Sequence, residues 1–169
     1  MANVSIEALS DELVALAEAS TTVVQGRATQ AFEGRTFDVV SLDEVGELAR
    51  NFELPACAVA YDGTTPTDTS KPSSGRASQC ALPTAVEHRF YVIVVVDYNG
   101  SAVVQTGRGV NTKFVATALL DVLAGKIDGH TGVNDRPWRF LEQGPAPFEV
   151  NGVVMYIQSW ATTAIINRA

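Results

Sequence analysis

The feature that most constrains the fold is a run of fourteen residues, VEHRFYVIVVVDYN, from Val86 to Asn99. Its centre is an unbroken series of aromatic and β-branched residues, which favours a β-strand. Alternation along a strand places Phe90 and Val92 on one side and Tyr91 on the other. Both sides are apolar, so we expect a central strand whose two faces are covered, either by helices or by another subunit.

The bulk properties of the chain exclude several classes of protein. A hydrophobic content of 46% and a charged content of 18% are typical of a folded protein. A net charge of −7 without a basic stretch argues against a nucleic-acid partner, because phosphate binding requires a cluster of Lys and Arg. The run from Val86 to Asn99 is too short and too charged to span a membrane.

The first residues, MANVSIEALSDEL, have neither the basic nor the apolar region of a signal peptide. We therefore expect the chain to fold in the cytoplasm. In that compartment the two cysteines, Cys57 and Cys80, are expected to stay reduced.

Three segments have the periodicity of helices. The spacing of Ile6, Leu9 and Leu13 predicts an amphipathic helix near the N-terminus. The sequence SLDEVGELARNF predicts a short second helix with a capping box. A longer helix is predicted between Asn111 and Gly129, which are suitable N-cap and C-cap residues.

The strand signals lie between these helices. Strands are predicted at residues 36–40, 54–61, 86–99, 102–106, 138–144 and 153–166. Asn99-Gly100 and Asn151-Gly152 are dipeptides that favour hairpin turns. We therefore expect an α+β fold in which a mostly antiparallel sheet packs with two to three α-helices.

Residues 62–85 differ in composition from the rest of the chain. They are rich in Ser, Thr and Pro and contain almost nothing that a core would bury. We expect one domain over residues 1–169 with a flexible excursion at about 62–85, which is either a surface loop or an arm that binds a partner.

Cysteine chemistry is the one catalytic alternative that the residues leave open. The chain has two histidines, and Cys57 would meet His88 if their strands were neighbours. Such a pair would make a small cysteine-dependent enzyme, but no oxyanion site or orienting third group accompanies it. The other histidine, His130, lies in a loop beside glycine and is expected to be solvated.

Metal and phosphate motifs are incomplete. The cysteines and histidines lack the close spacing of zinc ligands. The sequence TGRGVNTK precedes a predicted helix but does not match a phosphate-binding loop. Carboxylate pairs such as Asp11-Glu12 are expected in the first turns of helices, where they stabilise the helix dipole. We therefore expect no catalytic residue, no cofactor and no metal.

The second half of the chain resembles a known family. The segments RFYVIVVVDYN, ATALLDVLAGKI and WRFLEQGPAPFEVNGVVMYIQSWATTAIINR together resemble the Mu-like bacteriophage Gp37 family. The resemblance covers roughly Val86 to Arg168. Its features are the aromatic and β-branched strand, the A-x-x-L-L-x-x-L helix, and a closing strand in which V-M-Y leads to W-x-T. The Ser/Thr/Pro-rich segment at about 62–85, before the Val86–Asn99 strand, departs from the pattern.

This resemblance implies a structural virion protein without catalytic activity. Members of the family are tail terminators or tail-completion proteins of phages and of phage tail-like particles. The expected assembly is a homo-oligomeric ring, hexameric in the family, that caps the tail tube and provides the surface for head joining. The implied partners are other copies of the chain, the tail tube, the sheath protein and the head–tail connector. The implied location is the neck region of the virion tail, after assembly in the host cytoplasm.

Another minor virion component, such as a connector or a baseplate piece, is the nearest structural alternative. In either case we expect the partner contacts on loops, since loops carry binding residues in many proteins. The predicted contact residues are Arg108, Asn111, His130, Asn134, Asp135 and Arg136.

Overall fold

The fold is α+β, as the sequence predicts. A computed structural model describes residues 4–24, 26–51, 53–67, 84–97, 112–147 and 152–166. In chain order, the elements are α1 (Ile6–Glu18), β1 (Thr21–Val24), β2 (Arg27–Gln30), β3 (Thr36–Val39), α2 (Leu42–Asn51), β4 (Ala56–Pro66), β5 (Thr84–Asp97), α3 (Thr112–Ile127), β6 (Arg139–Pro145) and β7 (Val153–Ile166). Five strands form one sheet in the order β3-β4-β5-β7-β6, and β1 pairs with β2 in a separate hairpin.

Strand β5 is the middle strand of the sheet, which confirms the interpretation of the Val86–Asn99 run. It pairs antiparallel with β4 on one side and with β7 on the other. In this register Ile93 lies between Ala58 and Ile157, and these three residues share one face of the sheet. The even-numbered residues of β5 face the opposite side.

The face that carries the even-numbered residues of β5, here called the first face, is covered by α1 and α3. Leu9 and Leu13 of α1 and Leu120 of α3 are fully buried in the same cluster as Phe90 and Val92 of β5. Ser5 begins α1, because its side chain accepts a hydrogen bond from the Ala8 backbone N–H at 3.0 Å. Each fully buried Leu of this cluster contributes about 1.5–3 kcal/mol of hydrophobic stabilisation.

The second face, which carries the odd-numbered residues of β5, is covered by α2, which contacts β3 and β4. Val45 and Ala49 of α2 pack in one cluster with Ile93 and Val95 of β5 and with residues of β3 and β4. Helices of one chain therefore cover both apolar faces at the centre of the sheet.

Strands β4 and β5 run further than the sequence predicts. β4 continues to Pro66 and β5 begins at Thr84, and the Thr67 N–H donates to the Ala85 carbonyl oxygen at 3.0 Å. The first and last residues of the predicted 62–85 excursion are therefore paired strand. Residues 68–83 lie outside the described residues, as does the strand predicted at 102–106.

Two features of the topology are absent from the sequence prediction. β3 pairs parallel with β4, because α2 carries the chain back across the sheet before β4 begins. The β1–β2 hairpin follows α1 directly, in a segment for which no strand was predicted. Val23 of this hairpin is exposed.

Candidate contact surfaces

The cysteine–histidine pair considered above does not exist in the folded chain. Cys57 lies opposite Val94, whereas His88 lies opposite Thr64 at the other end of the same strand pair. Six residues of β5 separate these positions, which corresponds to roughly 20 Å along the strand. The prediction that they could meet on neighbouring strands is wrong in register, although the strands are neighbours.

The environment of Cys57 also opposes nucleophilic chemistry. The thiol is completely buried and makes no disulfide. Burial, and to a smaller extent the Glu18 carboxylate, raise the pKa of Cys57 far above its ordinary value. A thiol that stays protonated is a poor nucleophile, so Cys57 is a core residue. Cys80 lies outside the described residues.

The loop between α3 and β6 is a small closed hairpin. The Trp138 N–H donates to the His130 carbonyl oxygen at 3.0 Å, and the Gly129 N–H donates to the Trp138 carbonyl oxygen at 2.9 Å. Thr131 bridges to Pro137 inside this closure. We call residues 131–137 the tip. The tip contains three of the six predicted contact residues.

Glu12 of α1 fixes the position of the tip through hydrogen bonds. Its carboxylate accepts hydrogen bonds from the indole N–H of Trp138 at 3.1 Å and from the backbone N–H of Val133 at 3.2 Å. The Nε2 atom of His130 lies 3.2 Å from the same carboxylate, whose side chain is 8% exposed. His130 is therefore paired with a carboxylate while its side chain stays 37% exposed, so it is solvated only in part.

Glu12 corrects a second expectation. Helix α1 begins at Ile6, so Glu12 lies in its middle and not in its first turn. Its carboxylate is used in tertiary hydrogen bonds with a segment more than a hundred residues away, not in stabilising the helix dipole. Only Asp43 and Glu44 of α2 occupy the first-turn positions that we predicted for such pairs.

Asn134 holds the tip from the side of the sheet. Its side-chain amide donates to the Thr162 hydroxyl at 3.1 Å and to the Thr163 carbonyl oxygen at 2.9 Å, both on β7. Its carbonyl oxygen accepts from the Arg136 backbone N–H at 3.1 Å. The side chain of Asn134 is thus engaged within the fold, and its role as a partner contact stays a prediction.

The outer side of the tip carries the side chains that remain available to contact another molecule. Val133 is 50% exposed, and Asp135 and Arg136 are exposed beside it. Asp135 adopts a left-handed conformation with φ of 52°, which closes the turn. Within the described part of the chain, neither Asp135 nor Arg136 forms an ion pair. Arg108 and Asn111, the other predicted contacts, lie outside the described residues.

A cleft of about 310 Å³ lies on the second face of the sheet, where α2 stops covering it. Leu42, at the start of α2, forms one wall. The floor and the opposite wall come from β5, β7 and β6. The lining includes Leu42, Tyr91, Glu142, Gly144, Ile157 and Ser159.

The cleft combines an apolar floor with one free carboxylate. Ile157 and Leu42 are apolar, and Glu142 is exposed and forms no ion pair with any described residue. Burial, followed by a hydrogen bond with Asp62, raises the pKa of the Tyr91 phenol. Tyr91 therefore presents a neutral hydroxyl, and the carboxylate of Glu142 supplies the negative charge of the lining.

Next to the cleft, two arginines share one carboxylate. Glu87 accepts from Arg89 Nε at 2.9 Å and from the Arg139 guanidinium at 2.6 Å. Both arginines lie beside Ala161 of β7, one on each neighbouring strand, and Ala161 is buried between them. Glu87 therefore neutralises only one of the two guanidinium charges, and both arginine side chains remain partly exposed.

The described residues contain neither a metal cluster nor a membrane-spanning helix. Across these ranges, no three His, Cys, Asp or Glu side chains converge as ligands of an ion. None of the helices in the same ranges is both long and apolar enough to cross a bilayer.

The cleft residues were not identified from the sequence. They come from four separate elements, and no local pattern connects Leu42 with Glu142 or Ile157. For Glu12, its position in the middle of an amphipathic helix was a usable sequence signal. A carboxylate that is buried there requires a hydrogen-bond partner.

The chain is similar to solved structures but not to known sequences. No protein-family model matches the chain, and no curated protein matches it. Among solved structures, the chain is similar to a chain of the virion of a native gene transfer agent particle. The two are 14% identical with a TM-score of 0.45, and the match covers 91% of this chain and 84% of the other.

Proposed function

We propose that this chain is a structural protein of a phage or phage tail-like particle. Its role is that of a tail terminator: several copies form a ring, a hexamer in our proposal, that caps the tail tube and offers a surface for head joining. It acts in the neck region of the tail and is assembled in the host cytoplasm. The proposal includes no enzymatic activity and no cofactor.

The observation that carries the proposal is the resemblance of residues 86–168 to the tail-terminator family. The described parts of this region are the central strand β5, the helix α3 and the strands β6 and β7. These elements pack as one unit, because β7 pairs with both β5 and β6 and α3 lies across β5 and β7. The family-like segments therefore supply the rigid centre of the fold.

The surface features are consistent with a role in assembly. The tip is held from two sides and presents Val133, Asp135 and Arg136 outward. A preformed loop loses little conformational entropy on binding, so it suits a permanent protein contact. The buried thiol of Cys57, whose pKa is raised by burial, argues against the cysteine-dependent enzyme.

Deletion of the gene in a strain that produces particles tests the role. Without a terminator, we expect tubes of irregular length and no joined heads, measured by electron microscopy of purified particles. Re-expression of the wild-type chain should restore uniform tails. Arg136→Ala together with Arg108→Ala should give a folded protein that does not restore them.

Two results would contradict the proposal in different ways. Tubes of normal length that lack heads would indicate a connector instead of a terminator. Normal infectious particles from the deletion strain would exclude both roles. The mass of the purified protein, followed by electron microscopy of any ring, tests the oligomeric part directly.

A further inference from the structure

We propose that the tip of one copy of this chain docks in the cleft of a second copy, with Arg136 paired to Glu142 and Val133 packed on Ile157. The inference rests on the self-association in the proposed function and identifies the two surfaces that meet.

The two surfaces match in charge. The tip offers the guanidinium of Arg136 and the cleft offers the carboxylate of Glu142, and within the described ranges neither group has an ionic partner. An ion pair at an interface fixes the register of docking and disfavours other partners. Arg136 and Glu142 are therefore complementary, and Asp135, next to Arg136, disfavours a site with several carboxylates.

The two surfaces also match in polarity and size. Val133 is the exposed apolar side chain of the tip, at 50% exposure, and Ile157 and Leu42 are apolar residues of the cleft. A volume of about 310 Å³ is at the lower limit of pockets that hold small molecules. It suits one or two protein side chains, and an apolar contact between them adds to the ion pair.

Within one chain these surfaces do not meet. The tip is hydrogen-bonded to Thr162 and Thr163 of β7, whereas Ile157 of the cleft lies five residues earlier on that strand. Five residues of strand correspond to roughly 17 Å. The contact must therefore join two copies, and because the two surfaces differ, it joins them head to tail. Head-to-tail contacts generate a ring when the rotation between copies closes.

A second acidic cleft fits the tip less well. This cleft lies between β3 and α2, with a volume of about 290 Å³, and is lined by the three carboxylates of Asp38, Glu44 and Glu47. The tip carries Asp135 next to Arg136, so a site with three carboxylates would repel half of its charge. We use Glu47 as the control position for this reason.

Charge reversal provides the test, with the full chain under conditions in which the wild type associates. Arg136→Glu and Glu142→Arg should each weaken self-association by about tenfold or more, measured by sedimentation or light scattering. The double variant should associate to within about threefold of the wild type. Glu47→Arg and Arg27→Glu, at exposed positions outside both surfaces, should associate like the wild type.

Mixing the two single variants gives a sharper result. In a mixture of equal amounts, each reversed tip faces a reversed cleft of the other variant, and each native tip faces a native cleft. The mixture should therefore form alternating rings although neither variant forms rings alone. Failure of both the double variant and the mixture to associate would overturn the assignment of this pair.

A steric variant tests the cleft without changing any charge. Gly144 lies opposite Ile157, and an added Cβ there would meet no atom within 4 Å, so Gly144→Leu should fold and fill the cleft. We expect it to melt like the wild type but to lose association. Gly125→Leu, on the exposed side of α3, is the matched control with the same free space.

The outcomes separate the two proposals. If the wild type forms rings and Gly144→Leu does so equally well, this interface is wrong and the ring stands. If the wild type does not associate in solution or on purified tail tubes, the self-association itself is refuted. If a small molecule copurifies in the cleft and Gly144→Leu removes it without changing association, the cleft is a ligand site and the interface is again wrong.

Discussion

The carboxylate of Glu12 occupies the space that a side chain at Gly132 would need. A Cβ added at Gly132 would overlap Glu12 Oε1, and Gly132 has no left-handed backbone conformation that would by itself require glycine. The glycine is therefore required by the buried carboxylate and not by the turn. Helix α1 and the tip are far apart in sequence. They can pack this closely because position 132 has no side chain, which leaves room for the Glu12 carboxylate.

Gly132→Ala should destabilise the fold by displacing Glu12 from its donors. The loss leaves the buried indole N–H of Trp138 without its acceptor, which costs about 1–3 kcal/mol of unfolding free energy. Urea unfolding monitored by tryptophan fluorescence measures the change. Gly125→Ala on α3 is the control and should not destabilise, because an added Cβ there meets nothing.

A double-mutant cycle shows whether Glu12 is the cause. Once Glu12→Ala has removed the carboxylate, Gly132→Ala should cost little more, giving a coupling of about 0.5–3 kcal/mol between the two positions. Additive effects would mean that the backbone of the tip, and not the Glu12 carboxylate, excludes a side chain at position 132.

Gln158 should be a costly residue to make apolar, although it lies in an apolar strand. It is fully buried, it donates to the Leu120 carbonyl oxygen at 2.9 Å, and it accepts from the Trp160 indole N–H at 3.3 Å. Gln158→Leu leaves that indole N–H unpaired, so we expect a loss of about 1–3 kcal/mol in unfolding free energy. Thermal or urea unfolding measures it.

The control for Gln158→Leu also removes the indole N–H of Trp160, the donor that the substitution leaves unpaired. Gln158→Leu combined with Trp160→Phe should be less destabilised than the sum of the two single variants, because no indole N–H is then left unpaired. A strictly additive double variant would show that the loss comes from the other contacts of Gln158, including its hydrogen bond to Leu120, and not from the unpaired indole N–H.

The sheet was largely predictable because its signals are local. The alternation in β5 and the long apolar run of β7 predict strands, and the apolar spacing of α1 predicts a helix that packs on them. These signals are strong since each element buries a whole face or stripe. The β1–β2 hairpin has four-residue strands made largely of polar, exposed residues, so it leaves little pattern to detect.

The candidate contact surfaces were predictable only in part. The tip lies in a turn-rich loop, and loops are the expected place for binding residues. The cleft depends on β7 lying between β5 and β6, which places Ile157 next to both Tyr91 and Gly144. The β6–β7 pairing follows from the predicted hairpin, but the pairing of β7 with β5 joins strands distant in sequence, and no local pattern encodes it.

Cys57 should be unreactive in the folded protein. Its thiol is completely buried and burial raises its pKa, so the thiolate that reacts with alkylating reagents is scarce. We expect iodoacetamide to modify Cys57 only after denaturation, measured by mass spectrometry of the peptide that contains it. Analysis of the separate peptides distinguishes this modification from that of Cys80. Rapid labelling of Cys57 in the native protein would contradict the prediction and restore the hypothesis of a cysteine-dependent enzyme.

His88 should make the stability of the fold fall as the pH is lowered. The residue is buried on β5, its Nδ1 atom lies 2.7 Å from the Thr64 hydroxyl, and burial lowers its pKa below the ordinary value of 6.5. Above that value His88 is neutral in both states, so its full contribution to stability is present. As the pH falls through 6.5, the unfolded chain takes up a proton that the folded chain does not bind.

The unfolding free energy should therefore decrease below the ordinary value of the pKa, by at most about 1.4 kcal/mol per pH unit, and level off below the folded value. Urea unfolding between about pH 8 and about pH 5.5 measures this slope. Because carboxylates also titrate, the informative quantity is the difference between the wild type and His88→Asn, which lacks the titration. Equal slopes in these two proteins would contradict a neutral buried His88, and His130→Gln should retain the contribution of His88.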